Sequence, residues 1–185
     1  MALNQQKFRE IVFQILYSYD IACPNEDLMI DLMMNELTVS KKNVRLAQER
    51  VNKIREHLSK IDPLISSVSL TYDFNRIQAV TKNILRLGVF ELFFDDQIPP
   101  RVAIAEAIRL SRKFNTPESA SFVNALLDNL YRASLGDSKD ALSVEEQMKT
   151  LIESEKIATE IAQEQSLLQN EDDEDLRNKL LYDDN

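Results

Sequence analysis

Between Ile77 and Phe94 apolar residues fall on almost every face of a helix: Ile84, Leu85, Leu87, Val89, Phe90, Leu92, Phe93 and Phe94 leave little polar surface to turn toward water. A helix that is apolar all round has to be wrapped by other elements. That requirement governs what the rest of the chain can build. Gly88 lies in mid-helix, where it costs about 1 kcal/mol against alanine, so its presence implies a neighbour that approaches closely. Arg86 and Glu91 interrupt the apolar surface, and charges in such a helix need partners or an exit to water.

The remaining sequence supplies helices for the wrapping. Over residues 5–22, Phe8, Val12, Ile15, Leu16 and Tyr19 recur at helical spacing. Pro24 ends that segment, because a proline disfavours helical backbone in the residue before it. Residues 26–37 form a second, Met-rich amphipathic helix whose methionines read as core, with an adaptable binding surface as the lesser alternative. A third helix spans 41–60, with Val44, Ala47, Val51, Ile54 and Leu58 inward. Its other face holds Lys42, Arg45, Arg50, Lys53, Arg55 and Lys60 among Gln48, Glu49 and Glu56. That face reads as solvated, with RNA contact as the lesser alternative. Pro63 is expected to start a short helix over 64–70, and residues 71–76 read as a turn.

After the apolar helix, residues 95–100 form a compact linker. The next helix, 101–114, turns Ala103, Ala107, Leu110 and Phe114 inward and projects Arg109, Arg112 and Lys113 elsewhere. Thr116 can cap the following helix, Pro117 suits its first turn, and Glu118 favours its positive end. Phe122, Val123, Leu126, Leu127 and Leu130 give that helix an apolar stripe, and Gly136 reads as its terminator. Residues 140–168 are helix-prone but carry only a thin apolar stripe. The acidic run at 171–175 belongs to a polar, disordered end. No strand-type alternation of useful length occurs, so the expected fold is all-α with about seven helices.

Composition removes most catalytic chemistry. The chain has two glycines, and a phosphate-cradling loop needs several close together, so P-loop and dinucleotide motifs are absent. One histidine and one cysteine cannot assemble the usual zinc sites or a Ser-His-Asp or Cys-His arrangement. His57 reads as a solvated helix residue and Cys23 as a small, at least half-buried one. No run of 18 apolar residues and no signal-peptide layout is present. The expectation is a cytoplasmic, non-enzymatic protein with no cofactor, no metal and no membrane partner. The net charge of −9 is unevenly spread. Residues 137–185 hold 15 acids and 5 bases; of the chain's 31 acids and 22 bases this leaves 16 and 17 for residues 1–136. The body is near neutral and can hold a local basic patch. The expected division is therefore a helical RNA- and protein-binding domain over 1–136 and an acidic, partly helical or disordered tail over 137–185.

The strings ILRLGVFEL, IPPRVAIAEAIRLSRKF and FVNALLDNL, preceded by REIVFQILYSYD near the N-terminus, resemble the NusB family of transcription antitermination factors in order and spacing. The likeness covers roughly residues 5–134. It implies two packed three-helix bundles acting as an adaptor and not as an enzyme. The implied partners are the single-stranded boxA element of ribosomal RNA leaders, NusE (a ribosomal small-subunit protein) and the transcription elongation complex. A homodimer through the same apolar surfaces is left open. Single-stranded RNA binding needs cations for phosphates, aromatic faces for stacking and amides for base edges.

The resemblance places RNA-facing roles at Lys7, Arg9, Phe122 and Asn124, with Arg112 and Lys113 added for their charge. Tyr17 and Glu118 become candidate contacts for the protein partner. Phe122 also belongs to an apolar stripe, so a core role stands beside the RNA role. Departures from the family pattern are visible as well. The N-terminal stretch from Leu3 to Arg9 carries fewer cations than the family's arginine run, Ala105 stands where Asn is usual, and Ala125 replaces a usual Gly. Each lost phosphate contact weakens binding and flattens its salt dependence. An adaptor that keeps NusE but has little RNA affinity of its own is the alternative.

Overall fold

The computed structural model describes residues 3–22, 25–68, 74–137, 144 and 146–161. The expectations for Cys23, Pro24, residues 69–73, 140–143, 145 and 162–168, and the acidic run at 171–175 lie outside these residues. The chain divides into two compact units, Met1–Gln147 and Met148–Asn185. Residues 148–161 of the second are helical. No helix among the described residues is long and apolar enough to cross a membrane.

The first unit contains α1 (Gln5–Ile21), α2 (Glu26–Leu37), α3 (Lys41–Glu56), α4 (Leu58–Val68), a single 3-10 turn (Phe74–Arg76), α5 (Ala79–Phe93), α6 (Pro100–Phe114) and α7 (Pro117–Ser134). The described residues hold helices and no strand, as the periodicity requires. Local chemistry marks the ends. Asn4, Asn25, Ser40 and Thr116 each accept a backbone N–H in the first turn of the helix that follows. Pro100 and Pro117 occupy first turns, where the missing N–H has no intrahelical partner to lose. Gly136, at φ 85°, closes α7 as expected, its N–H donating to the Ala133 carbonyl at 3.1 Å.

α5 is the centre. It packs against α1, α3, α4, α6 and α7, and every residue from Asn83 to Glu91 is buried. One helical triplet, α1–α2–α3, meets it on one side. It forms the second triplet itself with α6 and α7, and α4 lies across α5 and α7. Gly88 is the point of closest approach. A Cβ there would stand 2.9 Å from a Leu127 methyl and 3.2 Å from the Ala107 Cβ. Both charges on α5 find partners. Arg86 makes two hydrogen bonds of 2.9 Å to Asp62 of α4 and one of 3.1 Å to Asp20 of α1; Glu91 is described below.

Four expectations need correction. The helix expected over 41–60 breaks at His57, and Pro63 lies inside α4 instead of before it. His57 is not simply solvated: its ring packs 4.8 Å from that of Phe94 and 5.7 Å from that of Phe90, and its Nδ1 lies 2.8 Å from the Lys53 carbonyl. Edge-on and tilted contacts of the His57 ring with Phe90 and Phe94 accompany the break where periodicity alone suggested continuation. In α2 only Met29 and Ile30 are buried, while Leu28 and Leu32 remain 71% and 55% exposed.

Candidate nucleic-acid interface

The first turns of α1 and the second half of α6 are joined by charge. Arg109 Nη1 and Lys113 Nζ each donate to the buried Glu10 carboxylate at 2.7 Å. Arg109 also donates to Glu106 at 2.9 Å and to the Gln6 carbonyl at 3.1 Å. Burial pushes the Glu10 carboxyl up, but hydrogen bonds from Lys113 and Arg109 outweigh it and hold the group below its ordinary 4.5. The adjacent Arg9 donates to both oxygens of Glu91, and its Nη1 lies 3.8 Å from Glu106. Three cations therefore face three carboxylates. Beside them Phe13 and Phe114 pack with centroids 4.9 Å apart, so the polar seam rests on an apolar one.

This seam changes the standing of several candidates. Arg9 is only 7% exposed and its guanidinium is committed to Glu91, so it joins helices and is not presented to a phosphate. The reason is the apolar environment of α5: Glu91 cannot reach water and draws Arg9 inward. Phe122 is fully buried, so its ring cannot stack on a base while the helix stays packed. Lys113 keeps half of its side-chain exposure but is paired with Glu10. Arg112 is exposed on the neighbouring position, and Lys7 is half-buried one turn before Glu10. Asn124 is exposed and lines a polar cleft of about 340 Å³ with Ser121, Asp128, Asn129 and Arg132. Amides in such a cleft suit base edges. Tyr17 is half-buried, its ring 6.0 Å from Phe13 at the end of the aromatic row. Glu118 is half-buried in the first turn of α7, where the helix's positive end favours it.

The structure thus brings Lys113 to the α1–α6 seam, leaves Lys7 on α1 and the exposed Arg112 on α6, and places Asn124 on α7, while Arg9 and Phe122 serve the interior. The larger cation surplus lies on α3, whose exposed face sequence reading left as solvated. No group of three or more His, Cys, Asp or Glu that could hold a metal occurs among the described residues.

The sequence profile of the NusB family matches residues 6–132. A transcription antitermination protein NusB from Chlamydia pneumoniae is 38% identical over 130 residues, covering 70% of this chain and 81% of that protein. Among solved structures, NusB of T. maritima superposes with a TM-score of 0.62 at 28% identity, covering 80% of this chain and 99% of the other. The antitermination factor NusB solved with NusE and double-stranded RNA gives 0.60 at 26% identity, covering 70% and 96%.

Proposed function

The chain belongs to the NusB family of transcription antitermination proteins, which are not enzymes, and on that premise we propose that it holds boxA RNA of ribosomal RNA leaders jointly with NusE, in the cytoplasm, as part of an elongation complex that reads through terminators. The observation that carries the proposal is the match of the α1–α7 body to a relative solved with NusE and RNA. The chain's own surface supports it. Lys7 and Arg112 remain available for phosphates beside the seam, and Asn124 for base edges in the α7 cleft. Tyr17 and Glu118 are the proposed partner contacts.

One observation favours a second reading, an adaptor that keeps NusE and has little RNA affinity alone. Arg9, Arg109 and Lys113 are already neutralised by carboxylates, so binding a phosphate there must displace an ion pair. The two readings separate in one titration. Binding of single-stranded boxA RNA, a scrambled strand and a duplex is measured with and without NusE at two salt concentrations. Tight boxA binding by the chain alone supports the first reading, and binding only in the ternary complex supports the second. No ternary complex, or no preference for boxA over the scrambled strand, overturns the first reading, and absence of NusE binding overturns the second.

A further inference from the structure

The cations missing from the start of α1 are present on α3. Within Lys41–Glu56 six residues are basic and two acidic, although the whole chain carries a net −9. Lys42, Leu46, Glu49 and Lys53 are spaced by four, three and four residues, so they form one stripe about 16 Å long. Across from this stripe lies the N-terminal end of α1. Between them runs an open groove of about 800 Å³, with Lys42, Lys53 and Asn43 on the α3 side and Gln5 and Phe8 on the α1 side. Lys42 and Lys53 are exposed; neither has a carboxylate within 4.0 Å among the described residues, although the Lys53 charge helps to lower the Asp95 carboxyl. Arg50 at the same groove is tied to Asp95 and sits 5.6 Å from the centre of the Phe90 ring, which fixes its position. Leu46, 44% exposed, and the half-buried Phe8 give the trough an apolar floor.

The geometry points to this groove as a second track for the RNA strand, with Lys42 and Lys53 on phosphates, Phe8 and Leu46 under bases, and the Gln5 and Asn43 amides on base edges. The inference rests on the RNA-binding reading above and deepens it. Charge complementarity selects the occupant: a polyanion fits the cation surplus. Ring, amide and cation alternating along an open trough suit a nucleic-acid strand better than an acidic peptide, which has no bases to stack.

The full chain is compared with K42Q/K53Q, with E49K and with K7Q/R112Q, helicity being checked by circular dichroism. If the track exists, K42Q/K53Q weakens boxA RNA binding on the order of tenfold and flattens the slope of log affinity against log salt by about 1.4, roughly 0.7 per lost contact. E49K then tightens binding. Unchanged affinity and slope in K42Q/K53Q, with wild-type chain binding boxA RNA, overturns the track and leaves the RNA reading standing. Displacement of the RNA by polyglutamate of equal charge at equal concentration also overturns it, since the groove would then accept any polyanion. Absence of boxA binding by the wild-type chain, even with NusE, overturns the reading beneath it.

Discussion

Arg9 Nε donates to both carboxylate oxygens of Glu91, at 2.8 and 3.0 Å, and neither residue is more than 7% exposed. The pair joins α1 to the central helix at a place where neither charge can reach water. Arg9→Ala leaves Glu91 buried without its partner and is expected to cost about 3–5 kcal/mol in urea denaturation. The double change Arg9→Met with Glu91→Leu, which removes both charges and keeps volume, is expected to cost much less. Equal losses in the two variants would show that packing, not charge, joins the helices.

The acid response divides by carboxylate. Glu10 and Asp95 are held below their ordinary values: burial raises each, and hydrogen bonds from Lys113 and Arg109, or from Arg50, more than reverse it. Their contribution to stability is present above the unfolded-state pKa and is lost as pH falls through the folded-state value. Glu91 behaves oppositely, since burial raises it against the pull of Arg9. Its contribution is present below the ordinary 4.5 and is lost as pH climbs through the raised value. Denaturation of Glu10→Gln at pH 7 and below pH 4 should therefore show a deficit against wild type that shrinks with acid. A deficit constant with pH would contradict the assigned partners.

Gly88→Val should destabilise by about 1–3 kcal/mol through overpacking. The first added carbon already meets a Leu127 methyl and the Ala107 Cβ, and neither Leu127 nor Ala107 is more than 3% exposed. Thermal unfolding measures it, and an unchanged midpoint would mean that α6 and α7 can withdraw from α5.

Ser111 is fully buried in α6 and its hydroxyl has no hydrogen-bond partner among the described residues. Ser111→Ala removes an unsatisfied polar group and improves helix propensity, so it should stabilise by about 1 kcal/mol. A loss of stability of similar size would reveal a partner for the hydroxyl.

Much of the fold was legible because it depends on periodicity and caps. The all-round apolar run from Ile84 to Phe94 demanded a buried helix, and Gly88 implied a close neighbour, which the structure identifies as Leu127 of α7 and Ala107 of α6. The break at His57 was not legible, since Val44 to Leu58 keeps step with one helix and the contacts of the His57 ring with Phe90 and Phe94 are made by residues more than thirty positions away. The site was harder still. A cation in sequence carries no record of its partner, and Arg9 looks the same whether it faces a phosphate or Glu91. Phe122 was ambiguous for a related reason: one apolar stripe serves either a core or a stacking surface, and burial decides for the core. Lys42 and Lys53 read as ordinary solvated charges because the α1 wall that makes a groove of them lies more than thirty residues away in the chain.

The position of α5 also sets how the body comes apart. α1 and α3 pack on this helix from one triplet and α6 and α7 from the other, so neither group can separate without exposing residues of α5 that are buried from Asn83 to Glu91. Residues 5–134 should then lose amide protection together, in a single cooperative step, and not as an N-terminal half followed by a C-terminal one.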